Sequence, residues 1–383
     1  MLQKYLKRAE IHSRMENNLF LIVASATCMV SFLGYSAFMF GIYMRFLFRR
    51  EKDLPYNHEP VSIVIAARNE AANLRKFLPA VLEQDRDLME VIVVDDGSTD
   101  DTARVLYELS EIYPFLKTIR IPHPAGKKQA LIRGIEAARY DLLLFTDADC
   151  RPASKRWASE MASRFTPGIE LVLGYGGYFV RQGILNRLIQ LDTALIAARY
   201  GGFASWGMPY MGVGRNMAYR KSLWVKTGGF ASHADLPYGD DDLFVMEAAL
   251  STNTALCFDP AAFTHSVPAA GFPGWFRQKT RHLHAGKRYK KGLSLLLVSE
   301  FVFEGLFWIS GLCLALAGAG IWFLFLLTFY FLYKSFIYGG LYKVLQIHTK
   351  WNFLPILSVI LLLALFLMGI NATFVKNVTW KRE

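Results

Sequence analysis

Apolar positions follow two patterns along this chain, and the change between them divides it. Four long apolar stretches lie near the ends: 18–46, then 293–316 and 320–338, then 354–375. Each is close to the ~20 residues that a helix needs to cross a hydrocarbon core. Ala317-Gly-Ala-Gly320 separates the second from the third and predicts a tight helical hairpin. Between the first and second stretches, residues 55–291 alternate short apolar runs with amphipathic ones. Segments 61–67, 90–95, 116–121 and 142–146 predict strands. Segment 71–84 predicts a helix, with Leu74, Phe77, Leu78, Val81 and Leu82 at helical spacing. Ser98-Thr-Asp-Asp101 opens a second helix carrying Val105, Leu106, Leu109 and Ile112, and 128–139 predicts a third. Buried strands alternating with helices predict an α/β fold with a parallel sheet and right-handed crossovers. After Asp149 the pattern becomes mixed.

Composition adds a membrane. The chain is 53% hydrophobic, with 29 Phe and 18 Tyr, and the apolar content gathers in the four stretches. The expectation is an integral membrane protein with one large polar insert. A net charge of +11 raises the question of nucleic acid, and its placement argues against it. Arg45, Arg49, Arg50 and Lys52 follow the first stretch; Lys287, Arg288, Lys290 and Lys291 precede the second. Basic residues flanking spans stay on the cytoplasmic side. The insert and the loop 343–350 are therefore expected in the cytoplasm, with the hairpin tip and the tail 376–383 outside. Lys4, Lys7, Arg8 and Arg14 in the tail 1–17 pull the N-terminus toward the cytoplasm too. A crossing first span does not allow both, and the insert, basic at both ends, carries more weight. The expected location is the plasma membrane of a bacterium. Cys28, Cys150, Cys257 and Cys313 contain no Cys-x-x-Cys pair, which argues against zinc and against a disulfide framework.

Polar chemistry collects at strand ends, where ligands sit in open α/β sheets. Arg68-Asn69-Glu70 follows the first strand, Asp95-Asp96-Gly97-Ser98 the second, and Asp147-Ala148-Asp149 the fourth. An acid-x-acid pair suits Mg²⁺ or Mn²⁺, whose other sites substrate phosphates fill. The row as a whole suits a nucleotide diphosphate. Lys127 and Lys128, at the start of the third helix, are placed to meet a phosphate. The plainer alternatives are a turn at Asp95 and Asp96, an N-cap at Ser98 and a solvated lysine pair. Tyr238-Gly-Asp-Asp-Asp-Leu243 sets three acids in a row. Their repulsion raises the pKa of at least one, which suits a general base, although an acidic helix start gives the same string. Arg277-Gln-Lys-Thr-Arg-His282 precedes the second stretch and doubles as its basic flank. Glu300 and Glu304, one turn apart inside that stretch, are functional candidates by their depth, or shallow acids near basic neighbours.

These motifs, in this order, resemble family 2 glycosyltransferases over roughly residues 60–289. The resemblance is to the membrane-bound branch that includes cellulose, chitin and hyaluronan synthases. It implies a GT-A fold, a Rossmann-like mixed sheet with flanking helices, joined to transmembrane spans. It also implies a UDP- or GDP-sugar donor, Mg²⁺ or Mn²⁺, and inversion in a hexosyl or N-acetylhexosaminyl transfer. Carried over by position, Arg68, Glu70, Asp95, Asp96, Lys128 and Asp147 bind the donor. Asp149 is the metal ligand, with Asp147 beside it. Asp241 is the base, and Asp240 takes the place of the family's Glu. Gly212, Gly214 and Asn216 lie on the acceptor side. Gln278 and Arg281 match the family's Gln-x-x-Arg-Trp motif, with His282 in place of Trp. Losing that aromatic platform speaks against a long polymer. Three readings stay open: transfer to a lipid-linked or short saccharide acceptor, processive synthesis with export, and an inactive nucleotide-binding protein or transporter.

Overall fold

The computed structural model describes residues 2–51, 53–349 and 353–374. Lys52, Lys350, Val375 and the tail 376–383 lie outside the described residues. The chain opens with α1 (Leu2–Phe38), which passes through a π-helical turn at Met39–Met44 into a last turn, α2 (Arg45–Leu47). The tail expected over 1–17 is therefore helical from Leu2. Gln3–Leu47 is 45 residues long, about 67 Å at the α-helical rise and more than twice the ~30 Å hydrocarbon core.

β1 (Val61–Ala67) is buried throughout, and its side chains alternate between two cores. Val61, Ile63, Ile65 and Ala67 face one; Val64 and Ala66 face the other. The first core holds α3 (Ala71–Leu82) and α4 (Thr102–Ile112), through Leu74, Leu78, Val105 and Leu106. The second holds α5 (Lys127–Ala137), through Ala130, Leu131 and Ile135. Gly134 brings α5 close to the sheet: a Cβ there would lie 2.5 Å from Val64 Cγ1. β2 (Met89–Asp96), β3 (Leu116–Ile121) and β4 (Leu142–Phe145) pair in parallel in the order β3-β2-β1-β4. This is the arrangement that buried strands and crossover helices predict.

Past β4 come β5 (Cys150–Pro152), α6 (Trp157–Ser163), β6 (Leu171–Gly174), β7 (Gly176–Tyr178) and α7 (Ile184–Ser205). Then follow β8 (Met217–Arg220), α8 (Lys221–Lys226), α9 (Asp242–Ala248), β9 (Thr254–Cys257), β10 (Thr264–Ser266) and α10 (Phe272–Ala285). β8 inserts antiparallel between β4 and β6, and β9 joins β6 in parallel, giving a mixed sheet of seven strands. β5, β10 and β7 form a small second sheet.

Among the described residues, α11 (Lys291–Leu316), α12 (Gly320–Val344) and α13 (Leu354–Phe374) complete the four helices that are long and apolar enough to cross a membrane. α11 runs along α1 and touches α12, while α13 rests on α10, α7 and α12. Among the described residues, α11 and α13 make no extended contact. Gly318, at φ +78°, turns the α11–α12 hairpin. Two polar clusters sit inside the bundle. Glu300 accepts from Tyr43 Oη at 2.7 Å and from Arg199 Nε at 2.9 Å. Glu304 accepts from Tyr330 Oη and Lys334 Nζ, and Lys334 also donates to Ser358 Oγ at 2.9 Å. The core on the α5 face of the sheet runs without a break into this bundle, through Ile189, Ala197, Tyr330 and Leu361.

Candidate active site

The strand ends meet α10 and the long apolar helices around one cavity of about 1110 Å³. At the end of β1, Asn69 adopts φ 53°, which a short polar side chain tolerates. Its N–H donates to Ser98 Oγ and its Oδ1 accepts from the Thr99 N–H, both at 2.9 Å, so the first two strand ends are locked together. Ser98 is thus not the N-cap that the plainer alternative made of it. Asp100 accepts the Thr102 N–H instead, at 3.0 Å, and α4 begins there. Glu70 lines the cavity and accepts from Asn73 Nδ2 at 2.5 Å.

The other acids carried over for the nucleoside point elsewhere. Asp95 Oδ1 accepts the Ser98 N–H at 3.0 Å, and Arg120 lies 3.8 Å away. Asp96 is fully buried and its two oxygens accept the Ala125 and Gly126 N–H groups at 2.7 and 2.9 Å. It therefore holds the segment that leads into α5. Asp95, Asp96 and the half-buried Arg68 do not line the cavity.

After β4, the Cys150 N–H bonds back to the Asp147 carbonyl at 3.0 Å, a tight turn that brings Asp147 and Asp149 to one side. Asp149 accepts from Ser266 Oγ of β10 at 2.9 Å. Burial, then the Asp147 charge, push its carboxyl up to about 6. Ligand atoms of Asp147, Asp149 and Cys150 lie within 4.8 Å of one another. Two crowded oxygen donors, one reluctant to ionise without a counter-charge, suit a hard divalent cation. Cys150 does not join them. Burial and the Asp149 charge hold its thiol well above the usual range, and only a thiolate ligates.

Lys127 opens α5 directly after Gly126 and sits between two motifs. Its Nζ lies 3.1 Å from Asp147 Oδ1 and 3.1 Å from Asp240 Oδ2. Burial opposes its charge, but Asp147, Asp240 and Asp241 outweigh burial and hold the ammonium well above its usual range. Lys128, expected to bind the donor, turns the other way. It is buried against His233, donating to its carbonyl. Consecutive helix residues point about 100° apart, so only one of the two lysines can face the cavity.

Asp241 caps α9. Its Oδ1 accepts the Asp242 N–H at 2.8 Å and its Oδ2 the Gly214 N–H at 2.9 Å. Burial and Asp240 raise its carboxyl above the usual range, while Lys127 pulls it back. Asp242, which the sequence reading left without a role, is buried and also faces the cavity. Burial and Asp241 push it up to about 7, against a 2.8 Å bond from Tyr289 Oη that favours the ionised form.

Of Gly212, Gly214 and Asn216, the loop residues assigned to the acceptor side, only Gly214 lines the cavity. Gly212 backs onto Leu173, where a Cβ would come within 2.9 Å of Cδ2. Asn216 is fully buried, donating to the Tyr175 and Ala262 carbonyls at 2.7 and 2.8 Å and accepting from Trp157 Nε1 at 2.9 Å. Both are structural. Arg215 beside them also reaches the cavity, 4.5 Å above the Tyr178 ring, with Nε on the Gly176 carbonyl at 2.8 Å. It is the only charged residue between Trp206 and Tyr219, a signal the sequence did contain.

On α10, Gln278, Arg281 and His282 share one face by their spacing and line the cavity. Gln278 donates to Tyr178 Oη at 2.8 Å. His282 is open to the cavity yet enclosed by protein; burial, then Lys279 and Arg281, hold its imidazole well below the usual range, so it is neutral at pH 7. The cavity continues past α10 into the bundle, where Glu300, Glu304, Tyr338 and Ser358 line it.

Residues 62–221 match the family model described as Glycosyl transferase family 2. The chain is 30% identical over 292 residues to the "Probable glycosyltransferase YdaM" of Bacillus subtilis, covering 70% of this chain and 66% of that one. It is 30% identical over 118 residues to the "Poly-beta-1,6-N-acetyl-D-glucosamine synthase" of Staphylococcus aureus, covering 30% of this chain and 28% of that one. The chain thus spans just under two thirds of the first relative's length and under a third of the second's. The structure of a mannosyltransferase, PcManGT from Pyrobaculum calidifontis in complex with GDP-Man and Mn²⁺, has the same fold. Its TM-score is 0.58 at 17% identity, covering 92% of this chain and 99% of that one. With the mixed sheet and the acids along its edge, these likenesses identify residues 62–221 as a Glycosyl transferase family 2 domain, in a GT-A fold, with a poly-beta-1,6-N-acetyl-D-glucosamine synthase among the relatives.

Proposed function

We propose that this is an inverting, metal-dependent membrane glycosyltransferase. It moves a sugar from a UDP- or GDP-sugar to a hydroxyl of a lipid-linked or saccharide acceptor, in cell-envelope glycan or glycolipid synthesis. The observation that carries the reading is the single cavity holding Asp149, Lys127, Asp241 and Arg281 and running on between the membrane helices. The basic residues around Arg45 and Lys287 favour a cytoplasmic catalytic domain on a bacterial plasma membrane.

Asp149 and Asp147 would hold Mg²⁺ or Mn²⁺, which supplies positive charge to the departing diphosphate. Asp241 accepts the proton of the acceptor hydroxyl as its oxygen bonds to the sugar C1 and the C1–diphosphate bond breaks. A single displacement inverts C1 and needs no covalent intermediate. Each Asp241 oxygen takes one backbone N–H, which leaves a lone pair for that proton and fixes the carboxylate's direction. Arg281 adds positive charge to the same cavity. Lys127 links the donor acids to the base through Asp147 and Asp240.

The test is a panel of UDP- and GDP-sugars given to the purified protein, with and without Mn²⁺, followed by product sizing. Transfer that needs Mn²⁺ and vanishes in Asp241→Asn, with nucleotide still bound, is the expected result. Full activity in that variant sinks the base assignment. The likeness to a polymer synthase favours processive synthesis as the second reading, and a ladder of long products would select it.

A further inference from the structure

The cavity does not end at the acids. On its membrane side it is walled by Leu295, Val298 and Phe301 of α11 and by Leu361, Leu362 and Leu365 of α13. Both helices line the cavity, yet among the described residues they make no extended contact with each other, which leaves room for an opening between them. Leu295 and Val298, three residues apart on one face of α11, are 73% and 53% exposed although they line the cavity. An opening bordered by exposed leucine and valine on a spanning helix faces lipid, not water.

Between the gap and the catalytic acids lies the first polar cluster. Glu300 is nine residues into α11, about 14 Å along the helix. Its two oxygens are taken by Tyr43 and Arg199. Glu304, one turn deeper, is paired with Lys334. Each cation at membrane depth is thus closed onto a carboxylate, and this stretch of wall carries no net charge. Toward the reacting centre stand Asp240, Asp241 and Asp242, with Lys127 the cation bonded among them. Lys287 is turned onto the Ala372 carbonyl at 2.7 Å, and Lys291 stands exposed at the start of α11. Arg215 and Arg281 also line the cavity, both beside Tyr178 on the side assigned to the donor; at Asp241 itself an anionic headgroup meets three acids and one lysine. A neutral hydroxyl headgroup meets carboxylate oxygens that accept hydrogen bonds.

We propose that the α11–α13 gap is a lateral portal for the acceptor, taking from the bilayer a lipid with an uncharged, hydroxyl-bearing headgroup. The headgroup passes Arg199 and Glu300 to reach Asp241, and the chains stay between Val298, Phe301, Leu361 and Leu365. This inference rests on the glycosyltransferase reading above and adds to it the acceptor class and its route.

The experiment uses the full chain in nanodiscs with two photoactivatable lipids, a diacylglycerol and a phosphatidic acid, and maps the cross-links by mass spectrometry. Diacylglycerol is expected to label 295–301 and 361–365, at least fivefold more than phosphatidic acid. Val298→Trp and Leu365→Trp, which narrow the gap, are expected to cut that labelling at least fivefold. Ile309→Trp, which adds the same bulk to an exposed site on α11 outside the cavity, is expected to leave it unchanged. Equal labelling by phosphatidic acid overturns the headgroup assignment. Labelling that is absent from both segments, or indifferent to the tryptophans, overturns the portal. UDP and GDP binding measured on the same samples separates the two readings. If nucleotide binds and the segments stay unlabelled, only the portal fails; if wild type binds neither nucleotide, the glycosyltransferase reading fails.

Discussion

The Tyr289 hydroxyl donates a hydrogen bond to Asp242 across 2.8 Å, which ties the turn before the α11–α12 hairpin to the acid cluster. The bond favours ionised Asp242, while burial and Asp241 work against it and leave the group at about 7. Neighbouring acids of this kind titrate as a set. Tyr289→Phe removes one hydrogen bond to a charged group, worth about 1.4 kcal/mol or roughly one pKa unit. The acidic limb of kcat/KM against pH is expected to move up by about that much, with the plateau rate kept. Rates measured from pH 5 to 9 check it, and an unmoved limb removes Asp242 from the ionisations that matter.

The two lysines at the head of α5 should separate cleanly. Lys127 touches Asp147 and Asp240, so Lys127→Met is expected to lower kcat/KM roughly 100-fold, the scale of losing one placed charge donor. Lys128 bonds to the His233 carbonyl, and Lys128→Met is expected to keep kcat/KM within about threefold while costing about 1 kcal/mol of stability. Steady-state kinetics and thermal midpoints of both variants decide the matter. The reverse pattern would return the phosphate-facing role to Lys128.

Metal affinity is expected to follow Asp149 and to ignore Cys150. Asp149→Asn should raise the Mn²⁺ concentration for half-maximal binding at least tenfold, read by the paramagnetic signal of free Mn²⁺. Cys150→Ser, which keeps the size of a neutral buried group, should leave the titration in place. A shift on that substitution would make the thiol a ligand after all.

Without metal, the protein should lose stability as pH rises. Asp149 sits at about 6 and Asp242 at about 7, both above the ordinary carboxylate value. Between pH ~4 and ~7 the folded chain therefore holds protons that the unfolded chain has released, and stability falls through that window. Thermal midpoints in EDTA are expected to drop from pH 5 to pH 7.5 and then level off. Asp242→Asn should flatten the upper part of the slope, and a midpoint that rises with pH contradicts both assignments.

What could be read in advance depended on how local its cause was. β1 and β3 are named residue for residue by their sequence, since a buried run or a turn-bounded β pattern needs little outside information. The helices long enough to span show themselves by length alone. β8 escaped notice, because Met217–Arg220 is a strand only through β4 and β6, which lie far away in sequence. The chemistry divides the same way. Acids at strand ends announce a site, but which atoms face it depends on helix phase and loop path. Asp96 spends both oxygens on Ala125 and Gly126, Asn216 spends its amide on the core, and Arg215 beside it reaches the cavity.

Lys334 carries a consequence for how the protein is made. It is enclosed by Glu304, Tyr330 and Ser358 midway along α12, a helix long and apolar enough to cross a membrane. A lysine alone at the centre of a span costs about 3 kcal/mol on insertion scales. Its counter-charge lies on α11, the helix synthesised just before its own. On the proposed membrane reading, α11 and α12 enter the bilayer best as a pair with the ion pair already formed, and the hairpin becomes one unit of biosynthesis as well as of structure.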